Sequence, residues 1–331
     1  MKQLSNSILV SAMTAVLMFG TFAFGVQEGD SDSGSATAEK SEAKQDADSP
    51  AAKFKAIQKE VNKISSERGK KLREIRKEFR DDDEKMSEAL SKLSKESEGK
   101  TNELLVGVLD IAKMADEDSK MSLDAISFLM SRSTDDSQKE MASDLLIKHH
   151  IDNPKLARKL TAMTGRGLPS KTTKSLFDKI IANSENDELK GYAALSLADH
   201  LMGLQQYESI AADDPAFAKR YPDVVKYVEE MKEEAGLEKL KIRFNKIAED
   251  YEEVELPVAM RSRNMRAKKG DMIGKLATKV FVAHEKKVLA KLRVSVGKEA
   301  PEIEGPDIDG ESFKLSDYRG KVVLLDFWGD W

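Results

Sequence analysis

The chain has 331 residues, of which 34% are charged and 6% are aromatic, and it contains no cysteine. This length allows about two domains, and many charges with few aromatic side chains favour solvated helices over a sheet-rich fold. The missing cysteines exclude structural disulfides and all thiol chemistry within these residues. The net charge of −5 is concentrated in one acidic segment, so the rest of the chain offers no basic footprint for nucleic acid.

Residues 1–25 have the pattern of a signal peptide. One basic residue, Lys2, precedes an apolar run over residues 8–24, and Ala23-Phe24-Gly25 forms a small-x-small cleavage site. The alternative is a retained membrane anchor, because the uncharged stretch approaches the length of a bilayer span. The glycines and the polar sequence that follows favour cleavage. We expect an extracytoplasmic protein, in the periplasm or secreted, that is membrane-anchored if the segment stays uncleaved.

Residues 26–50 are rich in Gly, Ser, Ala and acidic residues, with little to bury, so they are predicted to form a disordered acidic linker. From residue 51 to about residue 97, apolar residues recur at three- and four-residue steps, which is typical of a helix. Arg68 and Asp82 interrupt the apolar seam where a long coiled coil would need Leu or Ile. A helix or helical hairpin that packs within its own domain is therefore favoured over a dimeric zipper.

Residues 101–256 contain short amphipathic segments separated by helix breakers. The breakers include Asp152-Asn153-Pro154, the run at 165–169, Asp213-Asp214-Pro215 and Leu256-Pro257. Short helices joined by turns suggest stacked α-hairpins, an arrangement found in tetratricopeptide and HEAT-like arrays, although no signature of either repeat is legible. We predict an α-helical domain over residues 51–294, with α-hairpins in a repeat-like order as an option.

The histidines of this domain do not suggest a site. His149 and His150 stand together at a predicted helix end, where a cation complements the helix dipole, and neither has partners at metal-ligand spacing. His200 and His284 are isolated, so no Ser-His-Asp arrangement can be assembled. We therefore assign these residues no catalytic role, and we predict no metal site and no cofactor.

The stretch over residues 258–293 is strongly basic. A basic helix with an apolar face could contact anionic lipid headgroups. The acidic stretch over residues 229–255 precedes it, and complementary charge runs usually form solvated faces. We favour pairing of these two stretches over contact with a membrane surface.

After Val296 the pattern changes to that of strands. Asp309-Gly310 is typical of a hairpin turn, and Phe313 and Leu315 alternate beyond it. Residues 322–328 are apolar except for Asp326, which predicts a strand buried on both faces as in an α/β sheet. A carboxylate inside such a strand is costly to bury, so Asp326 is a candidate buried proton acceptor with a raised pKa. The alternative is an Asp at a strand end that reaches water.

The same residues resemble a known family. The motifs, in chain order, are GKEAP at 297–301, DG at 309–310, LSDYRGK at 315–321 and VLLDFWGDW at 323–331. They resemble the opening of an extracytoplasmic thioredoxin-like domain of the TlpA/ResA type, within the grouping that also holds the AhpC/TSA redoxins. The resemblance implies that residues 295–331 are the first strands of an α/β thioredoxin-like domain and that the protein exchanges thiols and disulfides on exported proteins, with a membrane-bound or secreted thiol reductant.

The resemblance also implies a site. In this family a Cys-x-x-Cys motif follows the strand, so its nucleophile is expected immediately after Trp331. By resemblance Asp326 takes the proton of the resolving Cys, Trp331 flanks the nucleophile and Trp328 lies beneath the motif. We expect that the chain is truncated before the redox motif, with a UGA codon for selenocysteine or a nonsense codon as explanations, and that it is inactive as given. The alternatives are a peroxidase of the AhpC/TSA group and a non-enzymatic helical scaffold with a degenerate thioredoxin remnant.

Overall fold

A computed structural model describes residues 49–114, 116, 118–164, 168–262, 264–295 and 297–326. The predicted signal peptide and all but the last two residues of the predicted linker lie outside this part of the chain. Within it the protein is mostly helical, with eleven α-helices and two short hairpins. The helices are α1 Pro50–Glu78, α2 Asp83–Ala112, α3 Ser119–Arg132, α4 Asp136–His150, α5 Leu156–Thr164, α6 Lys171–Asn183, α7 Asp187–Asp213, α8 Pro215–Arg220, α9 Pro222–Glu230, α10 Leu237–Asp250 and α11 Ile273–Arg293. The strands are β1 Met260–Arg261, β2 Arg266–Ala267, β3 Glu304–Pro306 and β4 Ser312–Lys314.

The first two helices form the predicted helical hairpin. Ser49 accepts a hydrogen bond from the backbone of Ala52 at the start of α1, and Asp82 caps α2 through Lys85 N. Asp82 thus interrupts the apolar seam because it begins a new helix. Arg68, the other interruption, donates to Ser94 on α2 at 3.0 Å. The two helices pack along each other, which confirms the helical hairpin.

The following helices stack in the order that α-hairpins predict. Helix α3 packs on α2, α4 and α5, and α4 packs on α2 and α6, so these contacts join helices that are one or two places apart along the chain. Side-chain caps fix the helix starts, for example Asp118, Asp135, Ser170 and Asn186. The core between the layers is aliphatic, with Leu105, Ile126, Leu146, Leu160 and Ile180 fully buried. The predicted helical domain is confirmed in its helix content.

Helix α7 lies at the centre of the second half, where α6, α8, α9, α10 and α11 all contact it. Helices α10 and α11 pack together as predicted for the acidic and basic stretches, but apolar contact holds them. The rings of Phe244 and Phe281 lie 5.7 Å apart. The ion pair between these helices, Lys241 with Glu285 at 3.7 Å, has the reverse sense, since the base is on α10 and the acid on α11. The packing of α10 on α11 thus occurs as predicted, but apolar contact accounts for it rather than pairing of acidic and basic residues.

None of the helices in the described ranges is long and apolar enough to cross a membrane.

Candidate functional site

The family-like segment begins with the β3–β4 hairpin. The strands pair antiparallel with Gly305 opposite Phe313, and the turn between them contains Gly310 at φ 85°, a conformation that glycine adopts without strain. Asp307 fixes this turn, because its Oδ1 accepts hydrogen bonds from the backbone of Asp309 and Glu311, each at 2.9 Å. The predicted turn at Asp309-Gly310 is confirmed.

A 3₁₀ helix at Leu315–Tyr318 follows the hairpin directly. Glu302 ties it back to the segment before β3, since its Oε1 accepts from Ser316 N at 3.0 Å. The hydrogen bond from Ser316 lowers the pKa of the Glu302 carboxyl. On the other side, Asp317 accepts from Lys314 N at 3.0 Å. These local bonds hold the turn in a segment that has little apolar surface to bury.

A small side-chain cluster completes the segment. The Phe313 and Tyr318 rings meet edge to face at 6.4 Å, and Lys321 Nζ lies 5.6 Å above the Tyr318 ring. Arg319 forms an exposed ion pair with Glu299. None of the residues described between 297 and 326 is buried, so these contacts define local shape and add no hydrophobic core.

The strand predicted over residues 322–328 is absent from the part that the structure describes. Residues 322–326 have no strand pairing and all of them are exposed, with Val322 and Leu324 almost fully so. A strand of this kind is buried only when it has neighbours on both edges and layers on both faces. The described residues after α11 supply one two-stranded hairpin, whose strands pair with each other. The expected burial is therefore wrong for this structure.

Asp326, the predicted proton acceptor, is consequently exposed here. Trp328 and Trp331, the predicted flanking residues, lie outside the described residues. The 331 residues contain no sulfur nucleophile, so Asp326 has no thiol partner among them. The role of Asp326 and of the two tryptophans stays a prediction from the resemblance.

His150 behaves differently from the predicted cationic cap. His150 ends α4 but is buried, and its Nε2 lies 2.9 Å from Ser122 Oγ, whose own proton goes to Ala112 O. His150 Nε2 must therefore donate, because a hydroxyl has one hydrogen. Burial lowers the pKa of His150, which disfavours the cationic form that a cap at the helix end would need. No cluster of three potential metal ligands occurs among the described residues.

Sequence reasoning missed one arrangement in the helical domain. His200 and its neighbour Asp199 lie on α7 and line a cleft of about 250 Å³ with residues of α5, α6 and the β1–β2 hairpin. His200 Nε2 lies 2.9 Å from Tyr227 Oη, and Asp199 Oδ1 accepts from Ser262 Oγ at 2.9 Å. The partners are 27 and 63 residues away in the chain, so no local spacing could have revealed them.

Comparison with known proteins points to the C-terminal segment. The AhpC/TSA family matches residues 296–331. The thiol-disulfide oxidoreductase ResA of Geobacillus kaustophilus is 51% identical over 41 residues, which are 12% of this chain and 24% of that protein. ResA of Geobacillus thermodenitrificans is 49% identical over 41 residues, with the same coverage, and ResA of Bacillus thuringiensis subsp. konkukian is 44% identical over 39 residues, 12% and 22% of the two chains.

The chain thus spans about a quarter of the length of the curated relatives it matches. No solved structure matches it. The helical residues before Val296 fall outside the family match.

Proposed function

We propose that the protein is a thiol-disulfide oxidoreductase of the redoxin superfamily that acts on exported proteins, and that residues 296–331 are the opening of its redoxin domain. The observation that carries the proposal is the match of these residues to AhpC/TSA proteins and, at 51% identity, to a ResA. The β3–β4 hairpin and its ordered turn support it, because they occur within the matched residues.

The chemistry follows from the disulfide exchange that such a domain would perform. A thiolate attacks one sulfur of a substrate disulfide, the other sulfur leaves as a thiol, and a mixed disulfide forms. A second thiol of the same domain then displaces the substrate, which leaves reduced while the domain becomes oxidised. In this proposal Asp326 accepts the proton of that resolving thiol, and the nucleophile, a thiol or a selenol, is supplied by sequence that follows Trp331.

Location and partners are part of the proposal. The signal-peptide pattern of residues 1–25 supports export to the periplasm or beyond. An exported enzyme of this type would exchange with protein thiols and disulfides and would be reduced by a membrane-bound or secreted thiol reductant. The helical domain would then be an additional module of the enzyme.

The test is to sequence the DNA beyond the Trp331 codon and to express the protein that it encodes. We expect an in-frame Cys-x-x-Cys or Sec-x-x-Cys motif, and reduction of insulin disulfides by the extended protein but not by the 331 residues alone. In the extended protein, Asp326→Asn should lower the rate about 100-fold or more if Asp326 transfers a proton. Asp309→Asn, in the exposed hairpin turn, should leave the rate unchanged.

The same experiment separates the alternatives. A Pro-x-x-x-Thr-x-x-Cys pattern with turnover of peroxide would identify a peroxidase of the AhpC/TSA group. Downstream DNA without family-like coding sequence, or an extended protein that reduces neither substrate, would contradict the redox proposal and would support a non-enzymatic helical scaffold.

A further inference from the structure

The cleft on α7 is lined in part by apolar residues. Leu168, Pro169, Phe177 and Met260 line it, from the loop before α6, from α6 and from β1. Its volume of about 250 Å³ lies below the range of roughly 300–1,000 Å³ usual for small-molecule sites. A space of this size and lining suits one unbranched side chain or an equally small ligand.

The cleft also contains a carboxylate, Asp199, that forms no ion pair with any described residue. Asp199 is half-buried, and its Oδ1 takes both available donors, Ser262 Oγ at 2.9 Å and Asn264 Nδ2 at 3.3 Å. Its Oδ2 has no hydrogen-bond partner among the described residues. Burial raises the pKa of Asp199 in spite of these two hydrogen bonds.

The neighbouring polar groups are neutral apart from Arg261. Burial lowers the pKa of His200 to about 4, so its ring is uncharged near pH 7. Tyr192 Oη and Thr161 Oγ1 lie 3.0 Å apart and offer hydroxyl oxygens to the same cleft. Arg261 also lines the cleft, but it is exposed on β1 and forms no ion pair with any described residue. Because Arg261 is exposed to solvent, its repulsion of an ammonium at Asp199 is screened.

We propose that this cleft binds a primary ammonium group on an unbranched apolar chain, as in a lysine side chain of another protein, with the ammonium at Asp199 Oδ2. The apolar residues of the cleft would contact the methylene stem, which lysine buries readily while its charge stays hydrated. One free carboxylate oxygen suits a point-like ammonium better than the planar fork of arginine, which prefers two parallel acceptors. The inference rests on the helical domain alone and does not depend on the proposed redox function.

Calorimetric titration of the 331-residue protein with small probes tests the site. N-acetyl-lysine N-methylamide should bind, and the matching norleucine derivative, which lacks the ammonium, should bind about tenfold more weakly or worse. The arginine derivative should also bind more weakly. Pentylamine distinguishes the source of the ligand: tighter binding of the lysine derivative indicates a protein lysine, and equal binding indicates a free alkylamine, with the ammonium site supported in both cases.

Two variants locate the binding. Asp199→Asn keeps an oxygen for Ser262 and Asn264 but removes the charge, and it should weaken the lysine probe about tenfold or more. Gly203 lines the cleft on α7, and a Cβ added there meets nothing within 4 Å, so Gly203→Leu should fill the cleft while the helix stays intact. Asp223→Asn, an exposed carboxylate on α9, is the matched control and should bind like the unaltered protein.

Thermal unfolding of each variant shows that it is folded before the titration is compared. The proposal is overturned if the norleucine and lysine probes bind equally, if neither binds, or if folded Asp199→Asn and Gly203→Leu proteins both bind as the control does.

Discussion

Substitution of Gly274 by Ala tests how α11 is seated on the helical domain. Gly274 is the second residue of α11 and is buried. A Cβ at this position would lie 2.7 Å from the backbone atom Ala248 O, near the end of α10, and 2.8 Å from Glu252 Cα, just after that helix. Backbone hydrogen bonds fix the same approach, since Gly274 N donates to Tyr251 O at 3.0 Å. The added methyl can be accommodated only if one helix moves relative to the other.

The expected loss follows from two opposing terms. Overpacking of a tight contact costs roughly 1–3 kcal/mol, and the better helix propensity of Ala returns at most about 1 kcal/mol. We expect a net loss of about 1–2 kcal/mol in the free energy of unfolding, which lowers Tm by roughly 2–8 °C for a domain of this size. Differential scanning calorimetry of the 331-residue protein measures both quantities.

Two other glycines provide matched comparisons. A Cβ on Gly99, inside α2, meets nothing within 4 Å, so Gly99→Ala should raise stability by up to about 1 kcal/mol. A Cβ on Gly191 would meet side-chain atoms only, Ile273 Cδ1 at 2.8 Å and Tyr251 Cδ1 at 3.0 Å, and side chains shift more readily than backbone, so Gly191→Ala should fall between the other two. If the Gly274→Ala and Gly99→Ala proteins have the same Tm, that result would contradict the close contact between α11 and the end of α10.

Three further outcomes are expected. Burial lowers the pKa of His200 to about 4, so between about pH 6.5 and pH 4 the unfolded chain binds a proton at this residue that the folded protein does not. The free energy of unfolding should therefore be highest above about pH 6.5 and fall toward pH 4. His200→Gln should reduce this fall by at most about 3 kcal/mol, measured by urea titration at each pH. Equal falls in both proteins would contradict the assignment. Deletion of residues 297–331 should leave a cooperative thermal transition, because none of the residues described between 297 and 326 is buried; loss of the transition would show that the tail is integral. Phe244→Ala should cost about 3–5 kcal/mol, since Phe244 is 1% exposed and packs on Phe281; a loss under about 1 kcal/mol would refute that packing.

The helices and the hairpin turn could be predicted because their signals are local. The apolar spacing over residues 51–97 and the Asp309-Gly310 turn each act within a few residues of chain, and the structure confirms the elements they predict. The same signals could not place one element against another. The packing of α10 on α11 was expected from charge, yet Phe244 and Phe281 make the contact.

The hydrogen-bond partners of individual polar residues could not be predicted from the sequence for the same reason. His150 and His200 have the same residue type, and only the fold shows that Ser122 partners one and Tyr227 the other. Asp199 stands beside His200 in the chain but takes its hydrogen bonds from Ser262 and Asn264, on the loop between β1 and β2. Residue spacing does not predict a hydrogen bond between side chains that are more than sixty residues apart in the chain.

Asp326 lies in a segment whose local pattern predicts a strand, but burial of that strand would require other strands beside it. The alternation and apolar run around it predict a strand, and the family match covers it. Burial of its carboxylate, however, is a property of a whole sheet, since a strand gains its neighbours from elsewhere in the chain. The described residues after α11 contain a single two-stranded hairpin, and residues 322–326 pair with neither of its strands. Asp326 is therefore exposed to water. Its proposed proton transfer therefore depends on two things together: a sulfur or selenium nucleophile, and the remaining strands that would remove its carboxylate from solvent and raise its pKa.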